Sequence, residues 1–291
     1  MKVAFIGLGN MGNGICARVQ KGGFDLTVFN RSPEKMKPFL DAGAKAGKSI
    51  ADTVKDADLV ITSLMDDKSV METLNGGLLS GMKSGAIHLG VTTNSPDCAD
   101  AAAKLHAEHG TSYVAGPVVG RPHAAAAGEL ISLLAGDDTA IEKITPVVMS
   151  YSKAIQRISK RHGAANSMKL CVNFTIISII ELMGETYAFA EKAGIDLDVI
   201  KEYLENAMGA PFLKLYAGKI RARDFDGKGG FAMKAGLKDV RLMRAAAAAN
   251  GNRLDFADVL ERKLEQGINQ GMEQRDWSAV YDITRANAGM K

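Results

Sequence analysis

Residues 2–23, "KVAFIGLGNMGNGICARVQKGG", decide the fold. The stretch opens with a short apolar run that suits a buried strand and closes with two glycines that stop a helix. Between them Gly7, Gly9 and Gly12 form G-x-G-x-x-G. Alone this pattern is weak; directly after a strand and at the start of a helix it is strong. The first glycine permits a tight turn, the second lets the backbone approach a pyrophosphate, and the third allows close helix–strand packing. The helix N-terminus adds free N–H groups and a partial positive charge. Gly7, Leu8, Gly9, Asn10, Met11 and Gly12 are therefore the expected phosphate cradle.

Strand and helix signals alternate on from this unit. "DLTVFN", "DLVITSL", "GAIHLGV", "SYVAGPV" and "ELISLLAG" read as strands. "SPEKMKPFLDAG" reads as a helix with Ser32 as N-cap and Pro33 at its first position, and "SPDCADAAAKLHAEHG" as another capped helix. The alternation predicts an α/β fold: an N-terminal Rossmann domain, doubly wound, with a parallel sheet and helices on both faces. Beyond about residue 160 the pattern becomes helix after helix, punctuated by "AGID", "ANGN" and "RDWS". The expected domains are 1–161, binding a dinucleotide, and 162–291, all-helical. A long interdomain helix from about Ala164 to Lys192, stopped by Gly194, would measure roughly 45 Å at 1.5 Å per residue.

The end of the second strand reads Asn30-Arg31-Ser32. A cofactor with a free ribose 2′-OH usually meets an Asp or Glu there. Here no carboxylate repels a 2′-phosphate, and Arg31 can stack on adenine and pair with that phosphate. The expected cofactor is NADP, bound in part by Asn30, Arg31 and Ser32.

Inside the long helix, "HGAANSMKLCVNFTIISII" (162–180) places Lys169 among apolar residues, with Asn166 a turn before and Asn173 a turn after. Burying an ammonium is expensive without compensation. Lysine and asparagine at i, i+4 share a helix face, on which Ile177 and Ile180 follow. The polar patch is thus confined to the end nearest the first domain, and is expected at an interdomain cleft. Spacing alone leaves two readings open, a snorkelling lysine and a proton donor at a reacting carbonyl.

Composition narrows the function classes. The chain has 291 residues, 46% hydrophobic and 24% charged, with a formal net charge of +3. That excludes the clustered basic excess of a nucleic-acid binder. Cys16, Cys98 and Cys171 are scattered and suggest a reducing compartment. His106 and His109 on a helix make a weak metal pair and read as solvated surface; no metal site is expected. The apolar stretch Leu170–Ile180 is too short to span a bilayer, and the N-terminal apolar run too short for a signal peptide. The expectation is a soluble, cytoplasmic protein.

Taken in order, the glycine loop, "NRS", "GPVVG", the Lys169 helix and "GLKDVRL" resemble the β-hydroxyacid dehydrogenase family. That family includes 3-hydroxyisobutyrate dehydrogenases, glyoxylate and succinic-semialdehyde reductases and related imine reductases, and the resemblance covers essentially the whole chain. It implies that Leu64 and Met65 run over the cofactor, with Asp66 in place of the usual Pro. It implies that Thr92, Thr93, Asn94, Ser95 and Pro96 are the S-T-x-S-P segment, with Thr93 near nicotinamide and substrate. Lys169 and Asn173 would be catalytic and substrate-binding, and Lys238 of the Lys238–Asp239 pair would approach the cofactor. The substrate segment A-P-V-S-G-G departs: it reads Gly116-Pro117-Val118-Val119-Gly120-Arg121, so Val119 stands where a serine would hold a carboxylate. Val119, Gly120 and Arg121 remain the expected substrate contacts, with the Gly120 backbone and Arg121 or His123 as anion partners.

The resulting expectation is an NADP(H)-dependent dehydrogenase or reductase acting on a small aldehyde, ketone or hydroxy acid, with Lys169 as general acid/base. Imine reduction on the same fold and a non-catalytic NADP-binding module are the alternatives. A homodimer or homotetramer is expected through the helical domain, because a 30-residue helix apolar around much of its circumference needs cover.

Overall fold

The computed structural model describes residues 1–192, 194–208, 211–226, 230–249, 251 and 254–290. The chain forms two compact units, Met1–Lys169 and Leu170–Lys291. The expected punctuation "AGID" and "ANGN" lies partly outside the described residues, at 193, 250 and 252.

The first unit is built on one sheet of nine strands: β1 (Lys2–Ile6), β2 (Asp25–Phe29), β3 (Lys45–Ala46), β4 (Leu59–Thr62), β5 (Ile87–Gly90), β6 (Ser112–Ala115), β7 (Val118–Val119), β8 (Leu130–Gly136) and β9 (Ser152–Ser159). Their order is β3-β2-β1-β4-β5-β6-β8-β7, with β9 also on β8. From β1 the chain crosses to β2 on one side and β4 on the other, and both pairs are parallel. This reversal opens a crevice at the strands' carboxyl ends, where ligands bind in such folds.

Alternate residues of each strand face opposite layers. Val3 and Phe5 pack with Ile15 and Val19 of the first helix and with Ile144 and Val148. Ala4 and Ile6 pack with Val70, Leu74, Ala99 and Ala102 on the other side. Both faces are covered, so the strands read as apolar runs without polar alternation.

Three local expectations need correction. The sheet is not wholly parallel, because β8 runs antiparallel to β6 and β7. "SYVAGPV" is two strands, broken at Gly116-Pro117 where proline has no N–H for the ladder. Ser32 precedes a short 3-10 turn, Pro33–Lys35, without a side-chain capping bond. By contrast Ser95 caps the Pro96–Glu108 helix through the Cys98 N–H.

The second unit is helical. It takes up the rest of the 30-residue Gly163–Lys192 helix and the helices Leu197–Met208, Pro211–Ala222, Met233–Ala249, Asp255–Asn269 and Val280–Asn287. Its core includes Ile177, Ile180, Tyr187, Tyr216, Phe225, Trp277 and Tyr281. Trp277 Nε1 donates to the Tyr216 hydroxyl at 2.7 Å, which satisfies a buried indole N–H. By length and composition, Gly163–Gly184 would suffice to cross a membrane. The expected count of eleven residues stopped at Lys169 and Glu181, whereas the helix runs through both. Its buried stripe carries Asn166, Lys169, Asn173 and Glu181, the pattern of a core helix with internal polar partners.

His106 is not solvated surface. It is fully buried and part of a hydrogen-bonded series. Thr62 Oγ1 lies 2.8 Å from His88 Nε2, His88 Nδ1 lies 2.8 Å from His106 Nε2, and His106 Nδ1 lies 2.8 Å from Thr111 Oγ1. The Thr111 hydroxyl donates to the His106 carbonyl, so it must accept from His106 Nδ1. Burial keeps both imidazoles neutral, so each carries its proton on Nδ1 and Thr62 donates at the far end. Burial, then His109 and His162, push the His106 pKa down to about 4, and burial pushes His88 well below its ordinary value.

Between about pH 6.5 and 4 the unfolded chain binds a proton at His106 that the folded chain refuses, so stability rises with pH across this window and is lost as pH falls. The loss amounts to roughly 3 kcal/mol for His106 alone. Thermal unfolding should thus move to lower temperature on going from pH 7 to pH 4.5, and His106→Gln should flatten that limb. A variant as acid-sensitive as the parent would refute the assignment.

Candidate active site

The cradle is shaped by backbone contact. Gly7 has φ +96°, and a Cβ there would lie 2.1 Å from the Ser63 carbonyl oxygen. A Cβ on Gly12 would lie 2.0 Å from the Gly7 carbonyl oxygen, so the Asn10–Lys21 helix packs hard onto the turn. Gly9 differs: a Cβ there meets nothing within 4 Å. It is the N-cap of that helix and makes no side-chain cap, which leaves the first-turn N–H groups open to an anion. The cradle therefore fits a dinucleotide pyrophosphate.

Asn30 is committed to the fold. Its Oδ1 accepts the Leu8 N–H at 2.9 Å and its Nδ2 donates to the Ser32 carbonyl at 3.0 Å, tying the cradle to the segment after β2. Arg31 is exposed beside it and Ser32 half-buried.

Two further loops leave the carboxyl edge. The Leu64 N–H donates to Thr92 Oγ1 at 2.9 Å, joining the loops after β4 and β5. Met65 is exposed at the tip. Asp66 caps the Asp67–Thr73 helix in a reciprocal capping box with Ser69, so it starts a helix by another route than the expected proline. Asp67 accepts the Ser95 N–H at 2.8 Å and the Ser95 hydroxyl at 2.6 Å. Sequence reasoning missed Asp67. Thr93, half-buried, sits between these tethers. Burial raises the nearby Cys98 thiol to about 11, which keeps it protonated and unreactive.

Lys169 is 8% exposed. The start of its helix is fixed to the sheet domain at three points. The Gly163 N–H donates to Asp100 Oδ1 at 2.7 Å, His162 Nε2 donates to the Tyr113 carbonyl at 3.0 Å, and the Asn94 N–H donates to Asn166 Oδ1 at 3.3 Å. The structure thus links the cradle to Asn30, Leu64 to Thr92, and the Thr93 loop to the Lys169 helix. Val119 is half-buried on β7, paired with Ile131. Gly120 has φ +141°, a conformation that favours glycine, and a Cβ there would lie 2.5 Å from the end of the Leu130 side chain. The terminal nitrogens of Arg121 are buried, and His123 is exposed.

In the second unit, Asn173 Nδ2 donates to Asp239 Oδ2 at 2.6 Å, and Lys238 Nζ lies 2.8 Å from Asp239 Oδ1. Asp239 is buried, so its charge is held by these two neighbours. Sequence reasoning noted Asp239 only as the partner of Lys238; the bond to Asn173 is what fixes the asparagine amide.

Comparison with known proteins identifies the family. Residues 2–161 match the NAD binding domain of 6-phosphogluconate dehydrogenase, and residues 163–284 match the NAD-binding domain of NADP-dependent 3-hydroxyisobutyrate dehydrogenase. The uncharacterized oxidoreductase YfjR of Bacillus subtilis is 36% identical over 96% of this chain and 98% of its own length. The 2-(hydroxymethyl)glutarate dehydrogenase of Eubacterium barkeri is 27% identical over 100% of this chain and 97% of its own. A 3-hydroxyisobutyrate dehydrogenase of Salmonella typhimurium superposes with a TM-score of 0.88 at 24% identity, covering 97% of this chain and 99% of that one. The chain belongs to the 3-hydroxyisobutyrate dehydrogenase-like family of NAD(P)-dependent oxidoreductases.

Proposed function

We propose that the protein is an NADPH-dependent reductase, or the reverse dehydrogenase, acting on a small aldehyde, ketone or hydroxy acid, with Lys169 as general acid/base. The observation that carries this reading is a buried lysine on a stripe with Asn166 and Asn173, on a helix whose start is tied to the loop after β5 through Asn94 and to Asp100 of the Pro96–Glu108 helix. A largely buried lysine held close to a reacting carbonyl can donate the proton and stabilise the negative charge that develops on its oxygen.

When bound, the nicotinamide supplies or accepts the hydride. Lys169 Nζ donates a proton to the oxygen of the reduced carbonyl, or takes one from the alcohol in reverse. Asn173, its amide oriented by Asp239, holds the substrate oxygen or the lysine. Thr93 borders nicotinamide and substrate, and Leu64 and Met65 cover the cofactor. Lys238 sits beside Asp239 and would approach the cofactor. Gly7 to Gly12 hold the pyrophosphate through backbone N–H groups. Arg31 and Ser32 meet the 2′-phosphate, while Asn30 braces the cradle. Val119, Gly120 and Arg121 line the substrate side; with valine in the anchor position, the Gly120 backbone N–H and Arg121 or His123 are the donors left for a carboxylate. Residues 162–291 serve as substrate and self-association domain. Leu182, Val199 and Tyr203 are exposed there, and light scattering at twice the chain mass would check the dimer.

Reduced-cofactor oxidation should be followed with glyoxylate, succinic semialdehyde, a neutral ketone and a cyclic imine. Lys169→Ala should lower kcat by about 10²–10⁴-fold with cofactor affinity retained; undiminished turnover in the variant would refute the general-acid role.

Arg31→Ala should weaken NADPH binding by about 10- to 100-fold, the loss of one charge-assisted contact, and weaken NADH binding far less, through the lost adenine stacking alone. Equal effects on both cofactors would refute 2′-phosphate recognition.

A further inference from the structure

The loop after β5 has three consecutive tethers. Thr92 Oγ1 accepts from Leu64, and Ser95 is held at both its N–H and its hydroxyl by Asp67. Between them, the Asn94 N–H is held by Asn166 Oδ1. The outer tethers tie loop to loop. The middle one ties the loop to the helix of Lys169, and Asn166 lies one turn from that lysine, on the same face. In a rigid helix, a shift at Asn166 carries the lysine with it.

The chemistry of the pair is unusual for a packed interior. Asn166 and Asn94 are 0% and 1% exposed. Asn166 Nδ2 and both side-chain polar atoms of Asn94 find no protein hydrogen-bond partner. The Cys98 thiol abuts the Asn94 amide, but sulfur is a weak partner. Leaving amide groups buried and unsatisfied costs free energy. An apolar side chain of similar size would fill the volume of Asn166 without that cost, so packing alone gives no reason for asparagine there. What only the amide oxygen supplies is the acceptor for the loop N–H.

We propose that Asn166 is a positioning residue, which sets the distance between Lys169 and the Thr93 loop by holding the Asn94 N–H. The proposal rests on the reading of Lys169 as general acid/base. In this role Asn166 acts through the lysine. Leucine at this position would free the Asn94 N–H but remove the unpartnered Asn166 Nδ2, and the two effects on stability oppose each other. Activity and stability should therefore separate.

The test compares Asn166→Leu, Asn166→Asp and Lys169→Ala in the full-length protein, with the aldehyde of the panel that turns over fastest. Asn166→Leu should lower kcat on the order of 10- to 100-fold, leave NADPH affinity unchanged, keep the melting temperature close to the parent's, and alter the pH profile of kcat. Asn166→Asp keeps an acceptor oxygen and should recover part of the loss. Parent-like kcat and pH profile in Asn166→Leu, or a loss of activity matched by a loss of melting temperature, would overturn the proposal. If Lys169→Ala keeps full turnover, the lysine reading fails; if it loses turnover while Asn166→Leu does not, only the positioning role fails. Hydrogen exchange gives a readout without turnover: the Asn94 amide should exchange faster in Asn166→Leu than in the parent, and an unchanged rate would refute the tether.

Discussion

Backbone crowding at the first turn underlies the rest of the first unit. Gly12 lies so near the Gly7 carbonyl, and Gly7 so near the Ser63 carbonyl, that three chain segments meet without room for a methyl group. This contact seats the first helix on β1 and brings the loop after β4 against the cradle. The same approach leaves Gly9 with open space and the helix N–H groups unsatisfied by any side-chain cap. An anion is attracted there because the fold has not used those donors itself.

The remaining architecture distributes polar groups that the apolar layers must accommodate. Asn30, Thr92, Asp67, Asn166 and Asp239 each bind a neighbour from another element, and each fixes a loop or side chain. Such buried links are costly to half-satisfy and specific when complete. They let loops of small residues hold a defined shape at the carboxyl edge.

Much of this was legible in the chain itself. The strand–glycine–helix unit around Gly7, the change of pattern near residue 160 and the Lys169–Asn173 spacing each depend on local periodicity, and local periodicity survives in sequence. What was hidden is tertiary. Asp239 stands 66 positions from the Asn173 amide that it holds, and no local pattern signals that pairing. His106 read as solvated surface together with His109, yet its side chain turns inward to meet His88. The antiparallel turn of β8 was hidden for a similar reason: its apolar residues fit either strand direction, and the neighbour decides.

The histidine series has a consequence for motion. Its donors all point one way, from the Thr62 hydroxyl through two imidazoles and Thr111 to the His106 carbonyl. No member can reverse its proton or turn its ring alone without setting two lone pairs, or two hydrogens, face to face. Reorientation must be concerted across two strands, a helix and the turn that follows it. The four side chains therefore behave as a single latch between β4, β5 and the Pro96–Glu108 helix, closed or open together, with no half-open state of low energy.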